Sequence, residues 1–141
     1  MYDGGKLWGV MPFRCEFERE HRILLVLFEG DIRDAEALTI KGVIASYLER
    51  LHPAAGIADL SAVKAFEVST HALRATARQP PYPEDIRRFI VAPQDHLFGM
   101  ARMYELSEAS SRANLQVVRS RAQALAALGV ENPKFEPVSP P

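Results

Sequence analysis

Cysteine is almost absent from this sequence, because Cys15 is the only one among 141 residues. A lone thiol cannot form a disulfide within the chain, and it excludes a zinc site built from cysteines. An unpaired cysteine of this kind is usually a small buried hydrophobic residue in a reducing compartment. We therefore expect Cys15 to be buried and unreactive, and we expect the protein to be cytoplasmic.

Long apolar segments and a surplus of one charge are also missing. The longest apolar run, ILLVLF at residues 23–28, is far shorter than the roughly 20 residues of a membrane-spanning helix. The N-terminal segment has neither a basic start nor an apolar stretch, so no signal peptide is expected. Seventeen basic and 18 acidic residues give a net charge of -1, which argues against a nucleic-acid partner because such a partner requires a basic face.

The length and composition fit one globular domain with a full hydrophobic core. Hydrophobic residues make up 48% and charged residues 25% of the chain, which is ordinary for such a domain. A glycine-rich start and a proline-rich end predict loose termini. The expected organisation is a flexible N-terminal tail (1–11), one domain (12–130) and a C-terminal tail (131–141).

Strand signals alternate with helix signals between the two tails. Residues 12–18 alternate apolar and charged side chains, as a half-exposed strand does. Residues 23–28 are apolar at every position, as in a strand buried on both faces. The short turn between them predicts an antiparallel hairpin. Further strands are expected at residues 54–60, 86–93 and 115–120.

Four helices are predicted in the remaining intervals. Asp31 is the expected N-cap of the first helix, and Ser69 begins the second. The third covers residues 95–111, and Ser120 with Gln123 forms an S-x-x-Q capping box at the start of the fourth. The order ββαβαβαβα predicts an α/β fold with a mixed, mainly parallel sheet, because strand–helix–strand crossovers leave their strands parallel.

Signatures of the common α/β enzymes are missing. No strand is followed by G-x-G-x-x-G, and neither G-x-x-x-x-G-K-[ST] nor G-x-S-x-G occurs. The four histidines lack the i, i+4 spacing of a metalloprotease helix, so we expect no metal site and no cofactor. Since no pair of nucleophile and base can be nominated, the protein is predicted not to be an enzyme.

Three acidic residues leave one alternative open. Glu29, Asp31 and Asp59 fall at the carboxyl ends of neighbouring predicted strands, where carboxylates can hold Mg²⁺ or support a phosphoryl-accepting aspartate. That arrangement would be typical of a receiver-like module. Receiver-like modules also carry adjacent acids after the first strand and a lysine after the last, whereas Arg119 ends the last strand here. Helix capping is the simpler role for Asp31.

The segment GIADLSAVKAFEVSTHALRATAR, residues 56–78, resembles the core signature of STAS domains, the anti-sigma-factor-antagonist family. In that family a buried strand ends in a D-L-S-like turn, and a D-S-S-G loop then opens a helix. Asp59 and Ser61 stand in the D-L-S match, and residues 67–70 lie where D-S-S-G would lie. The resemblance extends over residues 12–130. It implies a bacterial, SpoIIAA-like fold and a protein partner such as a kinase-like regulator.

The resemblance places Ser69 on the family's phosphorylated hydroxyl, with departures around it. Glu67 replaces the aspartate, Val68 the first serine, and Thr70 the glycine. A serine at a helix N-terminus is also the ordinary capping residue, where its bond from a backbone N–H contributes about 1 kcal/mol. The helix dipole and the free N–H groups favour a phosphate at the same position. A structural cap and a switch therefore both remain open for Ser69.

Two segments are expected to contact a partner. In the third helix, Phe98, Met103 and Leu106 point away from the apolar stripe, and such residues often meet a second subunit. Coverage by a neighbouring helix or tail is the other interpretation. Tyr82 lies in the proline-rich connection 77–85, which is either a contact loop or a simple helix ending. The off-stripe apolar residues of the third helix predict a homodimer.

Two functions follow as hypotheses. The first is a non-enzymatic STAS-like regulatory or protein–protein interaction module, similar to an anti-sigma-factor antagonist. Its candidate phosphorylation or partner site consists of Glu67, Ser69, Thr70, Asp59 and Ser61. The second is a small-molecule or lipid carrier of the SpoIIAA-like and CRAL-TRIO kind, which requires an apolar cavity of some size.

Overall fold

The computed structural model describes residues 13–79, 82–83, 85–107 and 114–139. The predicted N-terminal tail, residues 1–11, lies outside them. The described strands are β1 (Phe13–Glu18), β2 (Ile23–Arg33), β3 (Ala55–Glu67), β4 (Arg87–Val91), β5 (Leu115–Val118) and β6 (Phe135–Val138). The described helices are α1 (Asp34–Leu51), α2 (Thr70–Arg78), α3 (Asp95–Ser107) and α4 (Arg121–Leu128).

The strands form one sheet in the order β5-β4-β3-β2-β1-β6. The pairs β2–β3, β3–β4 and β4–β5 are parallel, whereas β1 runs antiparallel to both β2 and β6. This confirms the predicted α/β fold with a mixed, mainly parallel sheet and an initial antiparallel hairpin. The predicted element order is also confirmed as far as α4, after which β6 is added.

The sheet is buried on both faces, which explains why β2 is apolar at successive positions. Leu24 and Val26 belong to a large core that also contains buried residues of α1, α2 and α3. Ile23 and Leu25 belong to a second core, which includes Ala124 of α4. Adjacent residues of a strand point to opposite faces, so the three helices α1–α3 cover one face and α4 covers part of the other.

Strand β2 is longer than predicted, and the expectation that Asp31 caps the first helix is wrong. The strand continues to Arg33, with Ile32 buried and Asp31 exposed. Register shifts in its pairing with β3 occur here, and Gly30 has a φ of 75°, a backbone conformation that favours glycine. Helix α1 therefore begins at Asp34, with Arg33 as its N-cap residue.

Strand β3 also runs past its predicted end. It pairs with β4 only as far as Asp59, which is opposite Val91, and then continues beside β2 alone until Glu67. The D-L-S match at Asp59 thus lies inside a strand and not at its end. Glu67 is the last residue of β3, and α2 begins three residues later at Thr70.

The expectation of a loose C-terminal tail is wrong for residues 135–138, because they form β6. This strand pairs antiparallel with β1, where Phe135 lies opposite Glu18 and Val138 opposite Cys15. Phe135 and Val138 are half-buried and pack against the two cores. Pro137 fits because β6 is the outermost strand, and an edge strand tolerates a residue without an N–H.

Candidate functional site

The N-termini of α1 and α2 meet at a hydrogen-bonded pair, Asp34 and Ser69. The Ser69 backbone N–H donates to Asp34 Oδ1 at 2.7 Å, and the Ser69 hydroxyl donates to Asp34 Oδ2 at 2.9 Å. Asp34 is the first residue of α1, and Ser69 immediately precedes α2. One carboxylate therefore holds both polar groups of the serine and joins the starts of the two helices. We call this pair the α1–α2 clamp.

Ser69 is the N-cap of α2, as predicted. Its backbone is extended, with φ -67° and ψ 155°, and its Oγ accepts a hydrogen bond from the Ala72 backbone N–H at 3.1 Å. The preceding residue, Val68, is buried in the large core. Ser69 itself is exposed, as are Glu67 and Thr70 on either side. The buried Val68 thus anchors the backbone beside Ser69, and the Ser69 hydroxyl remains at the surface.

The clamp affects the ionisation of Asp34. The hydrogen bond from the Ser69 backbone lowers the pKa of Asp34, and the bond from the Ser69 hydroxyl lowers it further. Donors that bind the charged carboxylate favour that form. Asp34 is therefore an anion at neutral pH, and the Ser69 hydroxyl proton points at a negative charge.

Asp59 is held by Arg121 and by Ser61. Its carboxylate is buried, and Oδ2 accepts from Arg121 Nε at 3.0 Å and from Arg121 Nη2 at 2.8 Å. Its Oδ1 accepts from the Ser61 backbone N–H at 2.9 Å and from the Ser61 hydroxyl at 2.5 Å. Because Arg121 is the first residue of α4, Asp59 fastens that helix to β3.

The structure therefore separates the candidate site into two groups. Asp59 and Ser61 belong to the Arg121 contact at α4, and Ser69 belongs to the clamp at α1. None of the hydrogen bonds found among the described residues links the two groups. Glu67 and Thr70 flank Ser69 but remain exposed.

The receiver-like alternative is not supported. Glu29 and Asp31 are exposed on the extended part of β2, whereas Asp59 is buried against Arg121. Within the described ranges, no three His, Cys, Asp or Glu side chains lie close enough together to hold a metal ion. The three carboxylates do not converge because β2 and β3 are both longer than predicted.

The candidate interface residues differ in their surroundings. Phe98 and Met103 are half-buried and pack against the large core, which agrees with the interpretation that neighbouring elements cover them. Their contact with a partner stays a prediction. The Arg119 guanidinium lies over the Phe98 ring at 4.0 Å, and it also binds Asp95 Oδ1 at 2.7 Å. Leu106 is 60% exposed and stays a candidate contact residue.

An apolar cavity of about 180 Å³ lies between the sheet and helices α1–α3. Leu24, Val26 and Phe28 of β2 line one side, and Ile40 and Ile44 of α1 line the other. The carrier hypothesis requires such a cavity, and sequence periodicity cannot reveal one. It arises because the side chains of the three helices do not fill the whole space above the sheet.

Lys41, Arg88 and Tyr82 line the same cavity. Lys41 is only 3% exposed, and its Nζ donates to the carbonyl oxygens of Thr76 and Gln79, both at 3.3 Å. Lys41 Nζ lies 5.3 Å from the centre of the Tyr82 ring, and Arg88 Cζ lies 5.1 Å from it. Two cations therefore flank one aromatic ring in the cavity wall.

The burial of Lys41 has a signal in the sequence, although it was not predicted. Lys41 is four residues after Ala37 and seven before Leu48, and both of these are buried on the same face of α1. A lysine at this spacing lies within the apolar stripe of its helix. Arg121 offered no comparable signal, because its partner Asp59 is 62 residues away.

Cys15 lies in the large core, as predicted. Burial raises the pKa of its thiol to about 12, against smaller lowering effects of a hydrogen bond with Tyr47 and the charge of Arg50. Burial likewise raises the pKa of the Tyr47 hydroxyl to about 12. A thiol in this environment stays protonated and is a poor nucleophile.

Comparison with known proteins finds similarity among solved structures alone. No protein-family model matches the sequence, and no curated protein matches it. Among solved structures, the chain is similar to the Bacillus cell fate determinant SpoIIAA in the phosphorylated form, with 10% sequence identity and a TM-score of 0.46. The match covers 82% of this chain and 98% of that one. The function is therefore left to be inferred from the chain's own residues.

No helix in the described part of the chain is long and apolar enough to cross a membrane.

Proposed function

We propose that the protein is a non-enzymatic, STAS-like regulatory module that acts through a protein partner in the cytoplasm, and that the partner responds to the state of Ser69. The observation that supports this function is the α1–α2 clamp, in which an exposed helix-capping hydroxyl binds the carboxylate of a second helix. A chemical group added to the Ser69 hydroxyl would therefore alter the surface formed by the N-termini of α1 and α2.

Phosphorylation of Ser69 would break the clamp. A kinase-like partner would transfer a phosphoryl group from a nucleoside triphosphate to Oγ, releasing the hydroxyl proton and the nucleoside diphosphate. The phosphate ester has no hydroxyl proton to donate to Asp34, and its charge of about -1.5 to -2 would repel that carboxylate. The free N–H groups at the start of α2 would attract it instead. The surface at the two helix starts would then change shape and charge together.

The experiment compares the partners that three forms of the protein capture from the lysate of its source cells. We expect the wild-type protein and Thr70→Glu to retain the same partner, and Ser69→Glu to lose it. Thr70→Glu is the matched control. Thr70 is the exposed neighbour of Ser69, and the substitution adds the same charge one position later. Equal capture of every protein by all three forms would contradict a role for Ser69.

A second function, a small-molecule carrier, is favoured by the apolar cavity above the sheet. A carrier purified under native conditions should release an apolar compound on extraction. Mass spectrometry of the extract, with the denatured and refolded protein as the control, tests this function. Identical extracts from both preparations would count against it.

A further inference from the structure

The cavity between the sheet and helices α1–α3 has room for one compact molecule. Its volume is about 180 Å³, and an apolar cavity of about 150 Å³ in another protein stays dry and binds benzene. Pockets that hold drug-sized ligands are larger, at roughly 300–1,000 Å³. A single ring or a short branched chain therefore fits this cavity, whereas a molecule with two rings does not.

The wall of the cavity consists mainly of apolar side chains from the sheet and the three helices. Strand β2 contributes Val26 and Phe28, α1 contributes Ile40 and Ile44, and α3 contributes Met100. An apolar ligand would gain close contacts with these side chains that the cavity now lacks. The flexible side chain of Met100 can adapt to ligands of somewhat different shape. Such a wall favours a compound that is apolar throughout.

The two cations in the wall have their charged ends engaged within the protein. Lys41 Nζ donates to the carbonyl oxygens of Thr76 and Gln79, both at 3.3 Å. Lys41 Nζ also lies 5.3 Å from the centre of the Tyr82 ring, and Arg88 Cζ lies 5.1 Å from it. The long aliphatic stems of both side chains add apolar surface. A charged ligand would leave water without a partner reserved for it, and that transfer is costly.

We propose that this cavity binds a compact, uncharged apolar compound of about the size of one substituted aromatic ring. The proposal rests on the carrier function given above and adds the size and the charge of the ligand. It is independent of the α1–α2 clamp, because neither Asp34 nor Ser69 lines the cavity.

Calorimetric titration of the full-length wild-type protein tests both parts of the proposal. The probes are toluene, benzoate and diphenylmethanol. Benzoate has one ring, as toluene does, but carries a charge, and diphenylmethanol is uncharged but has two rings. Toluene should bind at least about ten-fold more tightly than benzoate, because the carboxylate loses its hydration. It should also bind at least about ten-fold more tightly than diphenylmethanol, whose second ring exceeds the volume of the cavity.

A variant that fills the cavity assigns the binding to it. Ala101 of α3 is buried and lines the cavity, so Ala101→Leu should lower the affinity for toluene at least about ten-fold. Ala126→Leu is the matched control, since Ala126 is exposed on α4 and does not line the cavity. It should leave the affinity unchanged. If circular dichroism shows that Ala101→Leu is unfolded, Ala37→Leu in α1, which also lines the cavity, replaces it with the same expected result.

The outcomes separate the ligand class from the carrier function. Binding of benzoate or diphenylmethanol as tightly as toluene would overturn the proposed class, and the native extract would still test the carrier function. An absence of toluene binding would overturn the proposal in the same way. Equal affinity for toluene in the wild type and Ala101→Leu would place the ligand elsewhere and also overturn it. Tight binding of toluene, together with identical native and refolded extracts, would support the cavity site and contradict the carrier function alone.

Discussion

Asp59 and Arg121 are 62 residues apart in the sequence, yet both Nε and Nη2 of the arginine bind the same carboxylate oxygen. The carboxylate side chain is 3% exposed and the guanidinium 41% exposed. The contact therefore joins the buried strand β3 to the first residue of α4. Ser61 binds the other carboxylate oxygen, so both oxygens of the buried acid have partners.

Removing Arg121 should destabilise the protein. The variant Arg121→Met leaves a buried carboxylate with only the Ser61 bonds, and we expect a loss of about 1–3 kcal/mol in the free energy of unfolding. Urea denaturation followed by circular dichroism measures it. The control is Arg102→Met, which removes a surface ion pair with Glu105 and should cost about 1 kcal/mol or less. Equal losses in the two variants would contradict a structural role for the Asp59 contact.

The clamp should be visible as a coupling between its two residues. Ser69→Ala should lower the free energy of unfolding by about 1 kcal/mol, because it removes the N-cap of α2. Asp34→Ala should lower the free energy of unfolding less in the Ser69→Ala background than in the wild type. The Ser69 hydroxyl that binds Asp34 is already absent in that background. A double-mutant cycle by urea denaturation gives the coupling, with Thr70→Ala as the control. Fully additive effects of the two substitutions would count against the clamp.

The turn between β1 and β2 should make stability depend on pH. Glu18 is buried and accepts hydrogen bonds from the His21 backbone N–H at 2.7 Å and from Nδ1 at 2.6 Å. The hydrogen bond to Glu18 raises the pKa of His21 above 6.5. Burial would raise the pKa of Glu18, but the bonds from His21 outweigh it and lower that pKa below 4.5.

The direction of this pH dependence follows from the two shifts. The raised His21 pKa contributes stability that is present below pH 6.5 and is lost as the pH rises through the folded value. The lowered Glu18 pKa contributes stability that is present above pH 4.5 and is lost at lower pH. The difference in unfolding free energy between wild type and His21→Ala should therefore be largest between these pH values. A difference that grew towards pH 9 would contradict the ion pair.

An NMR titration provides an independent check of the same pair. The pKa of His21, followed through its ring proton, should lie above 6.5 in the wild type and fall in Glu18→Gln, because the neutral amide no longer favours the charged ring. An unchanged value in the variant would show that Glu18 does not determine it.

Cys15 should be unreactive in the folded protein. Its thiol has a pKa of about 12 because it is buried, so almost none of it is thiolate at pH 8, and the thiolate is the reactive form. An aromatic disulfide reagent at pH 8 should label it only after denaturation. Rapid labelling of the native protein, at the rate found in urea, would show that the thiol is accessible.

The predicted homodimer can be tested at Leu106. This leucine is 60% exposed near the end of α3, and a charged residue there should disfavour burial against a second copy. Sedimentation at micromolar concentration should show a dimer for the wild type and a smaller species for Leu106→Lys. The control is Lys64→Met, because Lys64 is exposed on β3. It should sediment as the wild type does. A monomeric wild-type protein would refute the dimer.

The features that could be predicted from the sequence have local signals. The capping box of Ser120 and Gln123 is present as expected, with Ser120 Oγ accepting from the Gln123 backbone N–H at 3.1 Å. The uninterrupted apolar run of β2 correctly indicated a strand covered on both faces. Such signals are readable because the interacting residues are neighbours in the chain, or because one face repeats at a fixed period.

The features that were missed depend on residues far apart in the chain. Strand β2 reaches Arg33 because it pairs with the end of β3 near Glu67, a partner that no local pattern of β2 reveals. The Arg121 contact and the cavity beside Lys41 likewise arise from elements brought together by the sheet. The short strand at residues 135–138 was missed because the prolines of the C-terminal segment suggested a loose tail.

That last strand also influences how the folded chains meet one another. With β6 in place, the two outer strands of the sheet are short, at 4 residues each, and one of them carries Pro137. Short edges and a proline hinder the backbone of another chain from adding to the sheet. Detachment of β6 would expose the 6-residue β1 as a new edge. The proline-rich terminus therefore covers the edge of β1 with a shorter strand, to which the backbone of another chain adds less readily.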